Sequence, residues 1–281
     1  MRHSKKSQIA EVNDKQQQNG PSKKTSASRK NHGSSGKQLQ QLSRLYDEAM
    51  DTYNQSALAK TTEDMLRTKN RPRVTKIVSL GLGSLFDAKD QQRRIKQLAV
   101  LMAIASQLAL PLGDKSTLTL YAQDPTFTTA DEAFLESLGI FVLNTSSISS
   151  LGEAGKIMDE ETLVYSPFLT LETYKLLFSS PSTNVPILVS DDFNALRLKW
   201  DKRTSERKDV EGLIQGTREG NYRRRAVNGE GFWIEADRPF PMALYWRQSI
   251  AQDLPVPRNV ESTIRTRVFP KLEHQRIPIH A

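Results

Sequence analysis

The 281-residue chain contains no cysteine, which excludes disulfide bonds, thiol catalysis and metal sites built from thiolates. Its four histidines, at positions 3, 32, 274 and 280, all lie near the two ends of the sequence. A catalytic triad or a metal centre that depends on histidine is therefore not expected in the central part of the chain.

Long apolar runs are also missing. The longest one, Leu98 to Leu112, is interrupted by Ser106 and Gln107, so we expect no membrane-spanning helix and no membrane partner. The N-terminus has no apolar segment of the kind found in secretory signals. Together with the lack of cysteine, these features predict an intracellular protein of the cytoplasm, the nucleus or both.

Positive charge is concentrated in two places. The chain has a net charge of +8, of which +6 lies in residues 1–36 and +5 in residues 197–225, so the remainder is slightly acidic. Residues 1–36 also have almost no large apolar side chains and cannot bury enough surface to offset the entropy lost on folding. We therefore predict a disordered basic tail over residues 1–36.

The lysine pairs Lys5-Lys6 and Lys23-Lys24 lie in this tail. They could serve nuclear import, or they could contact nucleic acid weakly and without sequence specificity. A tail that is only solvated is the alternative. A body-wide nucleic-acid surface is not expected, because the central part of the chain is not basic.

From residue 37 onward, amphipathic segments with helical spacing alternate with short apolar runs of the strand type. The predicted helices cover residues 39–53, 61–68, 129–139 and 171–178, with room for a short helical turn within 146–161. A further helix is capped by either Asp87 or Asp90 and runs to about Leu108. The predicted strands cover residues 74–80, 118–122, 140–143, 162–165 and 186–189. This alternation predicts an α/β protein with a Rossmann-like, doubly wound, mainly parallel sheet preceded by N-terminal helices.

The alternation stops near residue 200. Residues 201–230 are charged and poor in apolar groups, which indicates a mobile surface segment, whereas the apolar runs at 231–234 and 242–246 could pack on the body. Residues 255–281 contain several prolines and show no clear period. We therefore expect three parts: a tail (1–36), a Rossmann-like domain with N-terminal helices (37–200) and an irregular C-terminal extension (201–281) partly packed on it.

Open parallel sheets bind ligands beyond the carboxyl ends of their strands. The first strand ends in the turn Gly81-Leu82-Gly83-Ser84, whose glycines would let the backbone approach a nucleotide-like or adenosyl ligand. The third glycine of the dinucleotide-binding pattern is missing. The candidate ligand-binding residues, all at strand ends, are Gly81, Gly83, Ser84, Asp124, Ser166, Asp191 and Asp192.

Each candidate also has a purely structural explanation. The glycines could serve only the turn, and Asp124, which precedes a proline, could stabilise a turn through its own side chain. Asp191 and Asp192 could form a carboxylate pair for acid–base chemistry or Mg²⁺, or they could cap a helix that begins near Phe193. No catalytic residue or metal ligand is therefore assigned, and the cofactor stays open.

Several short motifs, in order and spacing, resemble the sensitivity-to-red-light-reduced (SRR-like) domain family over about residues 77–193. They are Gly81-Leu82-Gly83-Ser84, Gln97-Leu98-Ala99, Asp124-Pro125-Thr126-Phe127, Leu135-Glu136-Ser137-Leu138-Gly139 and the valine-containing strand before Phe193. The resemblance implies a Rossmann-like domain in a protein linked to light signalling or circadian regulation, and in some lineages to haem metabolism or cytoskeletal phenotypes. The resemblance implies no particular enzymatic activity, because none is settled for the family.

This sequence departs from the family pattern at two strand ends. Ser166-Pro167-Phe168-Leu169 stands where members usually read Met-Pro-His-Cys, and Ser190-Asp191-Asp192-Phe193 stands where they read Gly-Asn-Ser-Phe. If that histidine and cysteine carry out chemistry in the family, this chain has lost it. The first functional hypothesis is therefore a regulatory or interaction protein with protein partners. The alternative is an enzyme or sensor that binds a nucleotide or S-adenosylmethionine at the Gly81–Ser84 turn.

Overall fold

The computed structural model describes residues 32–67, 71–109, 118–145, 151–179, 185–227, 229–237 and 241–248. Most of the predicted basic tail, including both lysine pairs, lies outside the described residues. The end of the predicted C-terminal extension, residues 249–281, lies outside them as well.

The described residues form a seven-stranded sheet in the order β3-β2-β1-β4-β5-β7-β6. The strands are β1 (Lys76–Leu80), β2 (Thr119–Gln123), β3 (Ile140–Val142), β4 (Thr162–Ser166), β5 (Ile187–Asp191), β6 (Tyr222–Val227) and β7 (Met242–Arg247). The first five are parallel, and β7 is antiparallel to both of its neighbours. The order is that of a Rossmann sheet with β7 inserted between β5 and β6.

Within the described ranges, eight α-helices connect and cover these strands. They are α1 (His32–Asn54), α2 (Ala57–Leu66), α3 (Gln91–Ala109), α4 (Thr129–Ser137), α5 (Gly152–Ile157), α6 (Leu171–Ser179), α7 (Phe193–Leu196) and α8 (Ser205–Glu219). Short 3₁₀ helices follow at Arg197–Lys199 and Glu235–Asp237. No helix within the described ranges is long and apolar enough to cross a membrane.

The sheet has a hydrophobic core on each face. Helices α1 to α4 pack on one face, and α5 to α8 pack on the other. Side chains of a strand alternate between faces, so Ile77 of β1 lies in the first core and its neighbour Val78 in the second. The predicted Rossmann-like, mainly parallel sheet with N-terminal helices is therefore confirmed.

Two helices have N-cap residues that lie earlier in the chain than their sequence patterns indicated. Ser56 caps α2 by accepting a hydrogen bond from the Ala59 N–H, so the helix starts four residues before Thr61. Thr128 and Asp131 form the capping box of α4, one residue before Thr129 and Glu132, the pair that the sequence pattern favours. In both cases a neighbouring Ser or Thr has the extended backbone that an N-cap requires.

Residues 201–230 differ from the expected mobile surface segment, because they contain α8 and β6. Helix α8 buries only a narrow stripe formed by Val210, Leu213, Ile214 and Thr217. Strand β6 lies at the sheet edge with most of its side chains exposed. Few apolar residues are enough for such elements, so composition could not reveal them. The division of the chain into parts at residue 200 stays a prediction.

Candidate functional site

The turn after β1 depends on its two glycines. Gly81 and Gly83 have φ angles of +75° and +76°, which side chains other than glycine rarely tolerate. A Cβ on Gly81 would collide with the Leu169 side chain, and a Cβ on Gly83 would lie 2.6 Å from Arg94 Nε. The space that the glycines leave is therefore filled by side chains of the protein itself.

Three successive backbone amides of this turn are already hydrogen-bonded. Gly83 N–H donates to Asp124 Oδ2 (2.9 Å), and Ser84 N–H donates to Thr126 Oγ1 (3.1 Å). Leu85 N–H donates to Asp131 Oδ1 (2.6 Å). In nucleotide-binding turns such amides bind the phosphates, whereas here side chains that follow β2 occupy them.

Asp124 accepts three hydrogen bonds within the protein. Besides the Gly83 amide, Thr126 donates to Oδ1 from its N–H (2.8 Å) and from its hydroxyl (2.6 Å). The residue is half-buried, and Oδ2 has a second lone pair. Asp124 therefore holds the turn together, and its predicted contact with a ligand stays a prediction.

Asp191, at the end of β5, has a carboxyl group that is almost completely buried. Its Oδ1 accepts the Phe168 N–H at 3.1 Å, and its Oδ2 lies 3.1 Å from the Tyr174 hydroxyl. Burial raises the pKa of Asp191 to about 6, although the Phe168 N–H, Tyr174 and the Lys199 charge act in the opposite direction. This carboxyl group therefore titrates about two pH units above an ordinary aspartate, near pH 6.

The single hydroxyl proton of Tyr174 has two acceptors within reach, the carbonyl oxygen of Ser166 and Oδ2 of Asp191. The Tyr174 hydroxyl donates to the carbonyl oxygen of Ser166 at 2.6 Å and accepts the Asp191 N–H at 3.1 Å. A protonated Asp191 can donate to the tyrosine oxygen, whereas an ionised Asp191 competes with Ser166 for the same proton. Ser166 itself is buried, and its Oγ has no hydrogen-bond partner among the described residues.

Asp192 has different partners from Asp191. It caps α7 by accepting the Asn194 N–H (3.0 Å). It also forms a bidentate ion pair with Arg224, in which Nε donates to Oδ1 at 2.7 Å and Nη2 donates to Oδ2 at 2.5 Å. The two carboxylates therefore do not share one site. Within the described ranges, no group of three or more His, Cys, Asp or Glu side chains could hold a metal ion.

A cavity of about 420 Å³ lies beyond the carboxyl ends of β4 and β5. Of the predicted site residues, Asp191 lines it. Its other lining residues are Arg93, Phe168, Leu169, Thr170, Leu171, Leu196, Lys199 and Trp200. These residues come from α3, from the β4–α6 connection with the start of α6, and from the end of α7 with the residues that follow it, so no single sequence motif contains them.

Comparison with solved structures finds proteins of low similarity to this chain. Fibrillarin from Aeropyrum pernix in complex with natively bound S-adenosyl-L-methionine is 12% identical, with 70% of this chain and 76% of that chain covered and a TM-score of 0.41. Cofactor-bound Rv0187 from MTB is 11% identical, with 75% and 89% covered and a TM-score of 0.43. These values are too low to support a functional argument, and the fold class depends on the strand order of the chain itself.

The Methanococcus jannaschii fibrillarin pre-rRNA processing protein is similar at the same level, with 13% identity, coverage of 65% and 71%, and a TM-score of 0.37. Among curated proteins, no sequence matches the chain. The family model of the SRR1 domain matches residues 38–236, which is most of the sequence and includes β6. The chain therefore belongs to the SRR1 domain family.

Proposed function

We propose that this SRR1 domain protein is a regulatory or interaction protein whose Rossmann-like sheet serves as a scaffold for protein partners. The observation that carries the proposal is the binding of the Gly83, Ser84 and Leu85 amides by Asp124, Thr126 and Asp131. Asp192 likewise binds the start of α7 and Arg224. Most of the polar groups at the strand ends thus stabilise the protein's own loops.

A second candidate function is the binding of an adenosyl ligand at the Gly81–Ser84 turn. The left-handed glycines at the end of β1 and the half-buried Asp124 at the end of β2 favour it. Asp124 Oδ2 retains a lone pair that a ribose hydroxyl could use. S-adenosylmethionine carries no phosphate and needs none of the three occupied amides, so it suits this turn better than a nicotinamide dinucleotide does.

Asp124→Asn separates the two candidates, because an amide cannot accept all three hydrogen bonds on the same oxygens. The Tm of the parent and the variant is measured with and without millimolar S-adenosylmethionine, NAD or ATP, with consumption of each compound followed in parallel. Glu136→Gln, which replaces an exposed carboxylate on α4, is the control. A scaffold role predicts a Tm that is several degrees lower in Asp124→Asn and no ligand effect on either protein.

A Tm that S-adenosylmethionine raises in the parent and not in Asp124→Asn would support the adenosyl candidate instead, since a ligand that binds only the native state stabilises it. Consumption of any of the compounds by the parent protein would contradict the scaffold proposal.

A further inference from the structure

The cavity beyond β4 and β5 has the size and composition of a small-molecule site. Its volume of about 420 Å³ lies within the usual range for such sites. Its apolar lining residues are Phe168, Leu169, Leu171, Leu196 and Trp200. Two aromatic rings among them can contact a flat ligand on its faces or edges.

Two cationic side chains line the same cavity, and each lies over an aromatic ring. Arg93 Cζ is 5.2 Å from the centre of the Phe168 ring, and Lys199 Nζ is 5.2 Å from that of Trp200. Arg93 pairs with Asp90 through Nη2, but its Nε is buried and has no hydrogen-bond partner in the described part of the chain. A buried donor of this kind is stabilised when a ligand supplies an acceptor.

Asp191, the acidic group in the lining, interacts with the charge of Lys199 only weakly compared with its neutral hydrogen-bond partners. Asp191 binds the Phe168 N–H and lies against the Tyr174 hydroxyl, and it forms no ion pair with a described residue. Lys199 also forms no ion pair within the described ranges. Helix α6 begins at Leu171 in the lining, so the positive end of its dipole adds to the potential there.

The backbone of Phe168 is unusual for a residue in such a wall. Its φ angle of +69° lies in the left-handed region, which a residue with a bulky side chain rarely adopts. The Phe168 N–H bond to Asp191 and the Arg93 contact over the ring hold this conformation. Strained residues of this kind often occur where a side chain must be presented to a ligand.

We propose that this cavity binds a small organic anion with a flat, apolar body, such as an aryl carboxylate or an aryl phosphate. The apolar body lies among the aromatic and leucine side chains, and the anionic group is bound by Lys199 and by the free Nε–H of Arg93. The cavity adjoins the Gly81–Ser84 turn through Leu169, which lines the cavity and lies against Gly81. No residue of the turn lines the cavity, so the inference does not depend on whether the turn binds an adenosyl ligand.

The test compares four probes of similar size on the full chain: benzoate, phenyl phosphate, the neutral benzyl alcohol and the cationic benzylamine. Binding is measured by ligand-observed NMR and calorimetry. Lys199→Gln removes one cation from an exposed position and is expected to fold, and Leu171→Trp fills part of the cavity. Lys202→Gln, an exposed lysine outside the lining, is the matched control.

We expect the parent to bind at least one of the two anions and to bind it at least ten-fold more tightly than benzyl alcohol and benzylamine. Lys199→Gln weakens that binding about ten-fold, which corresponds to the loss of one charge-assisted contact. Lys202→Gln leaves it unchanged, and Leu171→Trp, where it folds, abolishes it. The inference is overturned if no anion binds at millimolar concentration, if the neutral probe binds equally well, or if both lysine variants behave alike.

Discussion

The backbone N–H of Gly83 donates to the Asp124 carboxylate at 2.9 Å and so joins the carboxyl ends of β1 and β2. The sequence made both residues candidates for binding a ligand, because each follows the carboxyl end of a strand. In the structure they bind each other. A residue at a strand end can therefore stabilise the turn that a ligand would otherwise use. Measurements of stability and binding on the same variants can separate the two roles.

Gly83→Val is expected to destabilise the protein by about 1–3 kcal/mol, because a β-branched residue is strained at a φ of +76°. The new Cβ also requires the Arg94 side chain to move from its place 2.6 Å away. Gly83→Ala should show a smaller loss of the same sign. The free energy of unfolding from urea titration measures both changes.

Gly212→Ala is the matched control, because Gly212 lies in the interior of α8 and a Cβ added to it would meet nothing within 4 Å. Alanine favours the helix by about 0.5–1 kcal/mol, so this variant should be more stable than the parent. If Gly83→Val were as stable as the parent, the left-handed backbone conformation of Gly83 would be contradicted.

Asp191 should make the stability of the protein depend on pH. Its pKa rises from 3.8 in the unfolded chain to about 6 in the fold, so the folded state binds the proton more tightly. The resulting stabilisation is complete below pH 4 and is lost as the pH rises through 6. A shift of this size corresponds to about 3 kcal/mol.

Asp191→Asn removes this titration, because the amide can still accept the Phe168 N–H and donate to Tyr174. Urea titrations at pH 4 and pH 8 measure the free energy of unfolding of both proteins. The parent should lose up to about 3 kcal/mol between these pH values and the variant should not, so the difference between them should change by that amount in favour of the variant. Glu136→Gln serves as the exposed control and should show no such change. If the free energies of unfolding of Asp191→Asn and the parent differed by the same amount at pH 4 and at pH 8, the raised pKa of Asp191 would be contradicted.

Arg224→Gln is expected to destabilise the protein by about 1–3 kcal/mol, because it leaves the Asp192 carboxylate buried without its cation. The side chain of Asp192 is only 6% exposed, whereas that of Arg224 is 34% exposed, which keeps the loss below that of a fully buried pair. The double variant Asp192→Asn with Arg224→Gln should recover part of the loss, since asparagine can still cap α7.

Arg225→Gln on the same strand provides the comparison for Arg224→Gln. The Arg225 side chain is exposed, so its replacement should change the free energy of unfolding by less than about 0.5 kcal/mol. Equal losses in the two variants, measured by the same urea titration, would show that the ion pair with Asp192 contributes nothing specific.

The sequence alone determined the parallel part of the sheet and the family. Strands β4 and β5 are buried at every position and β1 at nearly every position. A strand covered on both faces is a nearly continuous apolar run, which is visible without any knowledge of its neighbours. The glycine turn could be located for the same reason, because the need for left-handed backbone is local.

Only the tertiary structure decided the remainder. Strand β6 lies at the exposed edge of the sheet, so its sequence needs no apolar pattern. It pairs with β7, and the spacing of apolar residues within β6 does not reveal that partner. The partners of the turn amides lie 41 to 46 residues away, and the cavity lining combines residues from three separate parts of the chain. Contacts at such distances arise from the packing of whole elements, so the residue types alone could nominate Asp124, Asp191 and Asp192 but could not decide which partner each would find.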